Sequence, residues 1–151
     1  MTALDLGCGP GYFSMEMAKL VGKSGKVVAA DIQDGMLNIL KMKIQRQKPG
    51  YNIVLHKCPE DRIGLSETFD FILMFYMLHE IQNPEIFLRE LRSILGNDGK
   101  ILIVEPRFHV SRKNFAESIR MIRAAGFDTL DEPKIFFSWS IVIKKSETTG
   151  D

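Results

Sequence analysis

The sequence predicts an α/β fold, in which short apolar strands alternate with amphipathic helices. The stretch Leu4–Gly11 runs from an apolar strand into a turn with three glycines in five positions, and helical periodicity follows it. Val27–Ala30 is uninterruptedly apolar, which is typical of a parallel strand covered on both faces. The segment 84–95 has apolar residues at helical spacing, and a further strand comes after it.

Composition indicates one ordinary globular domain, predicted over residues 1–145 with a disordered polar tail at 146–151. Lys plus Arg number 20 and Asp plus Glu 19, so a net charge of +1 gives no reason to expect nucleic acid or an anionic membrane as partner. No apolar run is long enough to span a membrane and no secretory signal is expected, so we expect a cytoplasmic protein. Cys8 and Cys58 are too few for a disulfide framework, and we expect no metal site.

The first half of the chain contains two strands and two helices. The strands are predicted at Met1–Leu6 and Lys26–Asp31. The first helix runs from Gly11 to Val21 and ends at Gly22, which is a suitable residue for the position after a helix. The second helix has Asp34 as its predicted N-cap, because apolar periodicity begins just after it.

The second half continues the alternation and then closes with two consecutive strands. Its strands have these predicted bounds: Tyr51–Lys57, Thr68–Met74, Lys100–Val104, Phe127–Lys134 and Phe136–Lys145. Its helices are predicted to follow the caps Asn83 and Ser111 and to end at Gly96 and Gly126. Turns are expected at 49–50 and 97–99, where Pro-Gly and Asn-Asp-Gly occur.

The glycine turn distinguishes two kinds of nucleotide ligand. A dinucleotide fingerprint needs a third small residue where this chain has Tyr12, which disfavours a nicotinamide-dependent dehydrogenase. The sequence instead spells Leu-Asp-Leu-Gly-Cys-Gly-Pro-Gly over 4–11. It resembles the first motif of the class I S-adenosylmethionine-dependent methyltransferases. Three further stretches resemble other motifs of this family. They lie at Phe69–Leu73, at Met77–Ile81 and around Glu105-Pro106.

The resemblance implies a fold and an activity. The fold is a Rossmann-like three-layer sandwich, whose seven-stranded, mostly parallel sheet has the order 3-2-1-4-5-7-6 and an antiparallel last strand. The activity is methyl transfer from S-adenosylmethionine to an acceptor, expected to be a small molecule. The alternative is a cofactor-binding but inactive regulatory or partner subunit. Because members normally carry helices before the first strand, we expect either a truncated chain or a partner or second copy that covers the cofactor.

The resemblance also assigns the cofactor residues. They are Asp5, Gly7, Cys8, Gly9, Gly11, Asp31, Ile32, Met36, Cys58, Pro59, Glu60, Met74 and Phe75. Asp31 ends the second strand, 20 residues after Gly11, where a carboxylate accepts hydrogen bonds from ribose hydroxyls; the alternative is a solvated turn residue. Ile32 and Met36 are expected beside the adenosine, with a purely core position as the alternative for Met36.

The adenine and methionine ends of the cofactor have separate expected partners. Cys58 stands where the family often has an acidic residue, so backbone groups near Cys58 and Pro59, or the Glu60 side chain, are expected to recognise adenine. Backbone carbonyls of Met74 and Phe75 are expected to receive the methionine ammonium. The rings of Phe75 and Tyr76 are candidates to face the sulfonium, with core packing as the alternative.

A base is needed only if the acceptor loses a proton as it attacks. Two histidines are the candidate catalytic residues, His79 and His109, because each follows a strand on the ligand side and imidazole titrates near neutral pH. Glu80 and Glu105 are further candidates, and a structural hydrogen-bonding role is the alternative for His79. A nucleophilic Cys58 beside His56 is the remaining alternative.

Overall fold

The computed structural model describes residues 1–47 and 50–147, which form seven strands and four α-helices. The strands are β1 Thr2–Leu6, β2 Lys26–Asp31, β3 Ile53–Lys57, β4 Phe69–Phe75, β5 Leu95–Pro106, β6 Phe127–Asp131 and β7 Ser138–Lys145. The helices are α1 Tyr12–Val21, α2 Asp34–Arg46, α3 Pro84–Ile94 and α4 Arg112–Ala124, with one short 3₁₀ turn at Leu78–Glu80.

All seven strands belong to one sheet with the order β3-β2-β1-β4-β5-β7-β6. The first five strands pair in parallel, and β7 runs antiparallel to both β5 and β6. This confirms the predicted order and the antiparallel last strand. In the part of the chain described by the structure, none of the helices is both long and apolar enough to cross a bilayer.

Alternation along β1 explains why helices lie on both faces of the sheet. Leu4 is fully buried in a large core that includes Leu91 of α3 and Ile122 of α4. Ala3 points the other way and packs with Met17 of α1. Asp5 shares the face of Ala3, because side chains two residues apart in a strand point the same way. A carboxylate is therefore placed in the apolar layer beneath α1.

Several boundaries differ from the predicted ones, and the first of these differences concern caps and turns. Gln33, not Asp34, is the N-cap of α2; its N–H is bonded to the Asp31 carboxylate, and the Asp34 carboxylate accepts from Lys57 Nζ at 2.5 Å. The predicted turn at 97–99 is part of β5, and α3 ends at Ile94 rather than Gly96. The pairing register jumps from Phe69 with Leu95 to Phe71 with Lys100, so the extra residues of β5 bulge out of the sheet.

Further differences are at the closing strands. β6 ends at Asp131, not Lys134, and β7 begins at Ser138, not Phe136. Phe137 has a left-handed φ of 52°, which is incompatible with an extended strand. The expected Pro49 turn residue and tail residues 148–151 lie outside the described residues. Ser146 is held at the sheet, since its N–H donates to the Gly126 carbonyl at 2.9 Å.

The parallel strands bring several loops to one edge. The carboxyl ends of β1, β2, β4 and β5 lie at the same edge of the sheet, and ligands of open α/β sheets bind beyond these ends. The glycine turn at 7–11, Asp31 and the segments 76–80 and 107–110 therefore meet around one region.

Candidate active site

The glycine turn after β1 has three left-handed residues. Gly7, Gly9 and Gly11 have φ of 77°, 54° and 87°. A Cβ on Gly7 would lie 3.2 Å from Met77 Cβ, and one on Gly11 would lie 2.2 Å from Leu40 Cδ1. At Gly9 no protein atom lies within 4 Å of that position. Gly9 therefore exposes its backbone to open space, where a ligand can approach closely.

Asp31 joins the glycine turn to the turn after β2. Its Oδ2 accepts from the Gly9 N–H at 2.9 Å, and its Oδ1 accepts from the Gln33 N–H at 2.8 Å. Its backbone carbonyl accepts from the Cys58 N–H at 2.9 Å. The residue is 9% exposed, so its side chain, which is held by two loops, still borders solvent. Each carboxylate oxygen has a second lone pair for another donor.

Asp5 is a second carboxylate beneath the turn. It is 2% exposed, and its Oδ2 accepts from Ser14 Oγ at 2.6 Å. Burial, and to a smaller extent the charge of Asp31, raise the pKa of Asp5 to about 6, against the effect of the Ser14 hydrogen bond. Among the described residues, neither Asp5 nor Asp31 forms an ion pair. The glycine turn therefore adjoins two acidic side chains that have no ion-pair partner within the described part of the chain.

The two cysteines near the turn are poor nucleophiles. Burial raises the pKa of the Cys8 thiol to about 12 and that of Cys58 to about 11, with nearby negative charges adding to both. His56 Nε2 lies 2.8 Å from the Ile63 carbonyl oxygen, so this ring is bonded to backbone. A thiolate is the reactive form of cysteine, and this environment disfavours it.

A continuous series of rings leads from the glycine turn along the carboxyl edge. Successive ring centroids are 4.5, 4.2, 6.1, 4.7 and 6.1 Å apart. The members of this aromatic row are, in spatial order, Phe13, Phe75, Tyr76, Phe108, His109 and His79. Phe108 is 69% exposed, so it is largely open to solvent.

Backbone strain is concentrated beside this row. Tyr76 and Phe137 are the described non-glycine residues with positive φ, at 58° and 52°. The Tyr76 hydroxyl and Ser138 Oγ are 2.8 Å apart, and the Tyr76 N–H donates to the Val104 carbonyl at 2.8 Å. Such conformations cost about 1–3 kcal/mol each and occur preferentially at functional sites.

At the far end of the row, His79 contacts a buried carboxylate. His79 Nδ1 lies 3.0 Å from Glu105 Oε2, and the Leu78 N–H donates to Glu105 Oε1 at 3.1 Å. Glu105 is 2% exposed. Burial raises the pKa of Glu105, while His79 and the backbone N–H of Leu78 oppose that shift.

Comparison with known proteins identifies the family. A model described as a methyltransferase domain matches residues 1–136. The chain belongs to this methyltransferase family. It is 34% identical over 114 residues to the ubiquinone/menaquinone biosynthesis C-methyltransferase UbiE of Blochmanniella pennsylvanica, covering 73% of this chain and 45% of that protein. It is 32% identical over 104 residues to the demethylmenaquinone methyltransferase of Lactobacillus johnsonii, covering 68% and 43%.

A solved structure supports the same assignment. The crystal structure of a SAM-dependent methyltransferase from Aquifex aeolicus has a TM-score of 0.84 and 27% identity, covering 95% of this chain and 81% of that one. The class I fold predicted from the sequence is therefore confirmed, and S-adenosylmethionine is the methyl donor of this family. The matched segment covers less than half of each of the two relatives named above.

The residues of this methyltransferase domain fit that donor. S-adenosylmethionine carries a sulfonium and an ammonium charge, and Asp5 and Asp31 lie at the turn without an ion-pair partner in the described chain. Its ribose hydroxyls donate hydrogen bonds, and the Asp31 carboxylate oxygens are able to accept them. The open space at Gly9 allows close approach.

The remaining predicted cofactor residues lie at different depths. Ile32 is 45% exposed and Met36 is half-buried at the start of α2. Pro59 is half-buried and Glu60 is exposed, and both follow β3 at the carboxyl edge. Met74 is fully buried, in register with Leu6 and Ile103.

Ser14 is a site residue that the sequence reasoning missed. It is fully buried on the inner face of α1 and donates to Asp5. A serine on the apolar side of an amphipathic helix, three residues after Gly11, was the available signal. Ser138, which holds Tyr76, was missed as well and had no comparable signal.

Proposed function

We propose that this methyltransferase domain transfers the methyl group of S-adenosylmethionine to a ring carbon of a small hydroxylated aromatic acceptor. The observation that carries the proposal is the aromatic row, which runs from the glycine turn to His79. The names of the relatives from Blochmanniella pennsylvanica and Lactobacillus johnsonii support it, since both act in quinone methylation by those names.

On the donor side, we assign the ribose hydroxyls to Asp31 and the positive charges of the methionine end to the neighbourhood of Asp5. Backbone groups at Cys58 and Pro59, or the Glu60 side chain, would meet the adenine. The backbone of Met74 and Phe75 would meet the methionine moiety. Bound S-adenosylmethionine supplies a methyl group already activated by its sulfonium, so the chain mainly has to place the acceptor and exclude water.

On the acceptor side, exposed rings favour a flat apolar partner. Phe108 is 69% and Phe137 is 66% exposed, and the Phe137 carbonyl accepts from the Arg107 N–H at 3.0 Å, so the two segments adjoin. An aromatic acceptor that covers Phe108 gains hydrophobic burial and about 0.5–1.5 kcal/mol from ring–ring geometry. Phe75 and Tyr76, between this surface and the turn, offer π faces near the reacting cation.

The test is methyl transfer from radiolabelled S-adenosylmethionine to a naphthohydroquinone, with ethanolamine as the non-aromatic comparison. We expect labelled carbon-methylated product from the naphthohydroquinone alone. Phe108→Ala should raise KM for that acceptor about 10-fold, by loss of ring contact and burial. Tyr51→Ala is the matched control, because Tyr51 is exposed before β3, at the opposite edge of the sheet.

Two outcomes would contradict the proposal. Methylation of ethanolamine in preference to the ring would exclude an aromatic acceptor. Binding of S-adenosylmethionine without turnover of either acceptor would favour the inactive regulatory subunit, whose cofactor edge a partner chain or second copy would cover. We also propose a cytoplasmic location without nucleic-acid partners; the free thiols of Cys8 and Cys58 suit a reducing compartment.

A further inference from the structure

Glu105 is held by two donors from the segment after β4. The Leu78 N–H donates to one carboxylate oxygen at 3.1 Å, and His79 Nδ1 lies 3.0 Å from the other. Glu105 itself is at the carboxyl end of β5, next to β4 in the sheet. A buried carboxylate in this position fixes both the place and the rotation of the His79 ring.

The hydrogen bond also decides which nitrogen of His79 carries the proton. With Glu105 ionised, its carboxylate only accepts, so Nδ1 is the N–H donor and the neutral ring keeps its lone pair on Nε2. The side chain of His79 is 25% exposed, so the ring is not sealed in the core. Nε2 of the neutral imidazole is therefore available to accept a proton from a bound molecule.

His79 adjoins the rings that we assign to the acceptor side. Its ring follows His109 and Phe108 in the aromatic row, with centroids of the two histidines 6.1 Å apart and 21° between their planes. Within residues 1–47 and 50–147, three titratable groups adjoin His79: Glu105 from β5, Glu80 from its own turn, with Oε1 3.9 Å from Nε2, and His109 from the segment after β5.

Resting on the proposed function, we infer that His79 is the base that takes the acceptor's hydroxyl proton and that Glu105 is its positioning residue. The O–H bond breaks and the proton moves to Nε2. The electron pair left on the oxygen raises the electron density of the ring, and a ring-carbon pair forms the new bond to the methyl group. The donor's sulfur keeps the pair of the broken carbon–sulfur bond. The ring-carbon proton passes to water, as does the proton on Nε2 after turnover.

The first experiment needs no acceptor. Nitrogen-15 NMR of the full chain should show the Nδ1–H tautomer of neutral His79, and Glu105→Gln should remove the preference for it. Glu85→Gln, on the exposed start of α3, is the matched control and should leave the His79 signals unchanged. An Nε2–H tautomer in the wild-type chain, or a tautomer unaffected by Glu105→Gln, would overturn the positioning role.

The second experiment measures methylation of the naphthohydroquinone against pH. His79→Gln should lower kcat about 10²–10⁴-fold, the usual contribution of a general base, with the affinity for S-adenosylmethionine unchanged. Glu105→Gln should give a smaller loss and move the acidic limb of the profile to lower pH. Glu105→Asp serves as the second variant if the glutamine variant does not fold. A larger loss in His109→Gln than in His79→Gln would refute the assignment.

The two experiments separate the two proposals. If wild-type protein methylates no aromatic acceptor, the proposed function fails, and the NMR result still decides whether Glu105 positions His79. If methylation occurs and His79→Gln retains the wild-type rate and pH profile, the acceptor assignment stands and the base assignment fails.

Discussion

The Asp31 carboxylate accepts a hydrogen bond from the Gly9 N–H at 2.9 Å, which ties the end of β2 to the glycine turn after β1. The second oxygen of the same group accepts from the Gln33 N–H at 2.8 Å. One side chain thereby fixes the two loops that define the donor end of the site. Removal of this side chain should weaken ligand binding and reduce the order of the glycine turn.

We expect Asp31→Asn to weaken binding of S-adenosylmethionine about 10- to 100-fold, the equivalent of about 1.5–3 kcal/mol for lost hydrogen bonds to a charged group. Calorimetric titration measures it. Asp34→Asn is the control, because Asp34 lies three residues further on, with a 70% exposed side chain bonded to Lys57. Equal affinity in the two variants would exclude a ligand role for Asp31.

Gly9→Ala and Gly22→Ala form a matched pair. Both glycines have left-handed φ, 54° and 73°, and neither would bring a Cβ within 4 Å of another atom. Each change should therefore cost about 1–2 kcal/mol of backbone strain and lower Tm by a few degrees. Only Gly9→Ala should also reduce binding of S-adenosylmethionine, because its methyl group would enter the space above the turn. Equal binding by both variants would mean that the donor does not approach Gly9.

Gly11→Ala should instead act through packing. Its Cβ would lie 2.2 Å from Leu40 Cδ1 of α2, and its φ is 87°. We expect a larger loss of Tm than in Gly9→Ala, because overpacking adds about 1–3 kcal/mol to the strain. The double variant Gly11→Ala with Leu40→Ala should recover part of that loss. A Tm change no larger than that of Gly9→Ala would contradict the close contact.

Asp5 makes the stability of the fold depend on pH. Its pKa of about 6 lies above the ordinary 3.8, so the folded state binds the proton more tightly than the unfolded state. This stabilisation is fully present below about pH 3.8 and is lost as the pH rises through about 6. Asp5→Asn has no such titration. Its unfolding free energy should therefore rise relative to that of the wild type by up to about 3 kcal/mol between about pH 4 and about pH 7.

Urea unfolding at several pH values measures this difference. Asp98→Asn is the control, because Asp98 is exposed in the bulge of β5. A constant difference between Asp5→Asn and the wild type across this range would show that Asp5 is not shifted by its burial. If Asp5→Asn instead became less stable relative to the wild type as the pH rises, the predicted direction of the pKa shift would be wrong.

The sequence predicted features that depend on short segments. The glycine turn and Asp31 lie in contiguous motifs, and the resemblance to a family supplied the order of the strands, which the structure confirms. Periodicity placed all four helices, and several of their predicted ends differ from the observed ends by one or two residues. Gln33 became the cap of α2 because Asp31 holds its N–H.

The pairs of residues that build the site could not be predicted in this way. His79 and Glu105 were both candidate bases, and their contact spans 26 residues of sequence. It depends on the register between β4 and β5, and the bulge after Leu95 changes that register. The Ser14 contact with Asp5 depends similarly on how α1 lies on the sheet. Hydrophobic patterns identify buried faces, but they do not specify which polar groups meet there.

The first measurement to make is calorimetric titration of the 151-residue chain with S-adenosylmethionine, S-adenosylhomocysteine and NAD. Saturable binding of both sulfur ligands, with no heat from NAD, is the expected result for a methyltransferase domain with its donor site at Gly9 and Asp31. Binding of NAD, or no binding of either sulfur ligand, would contradict that assignment.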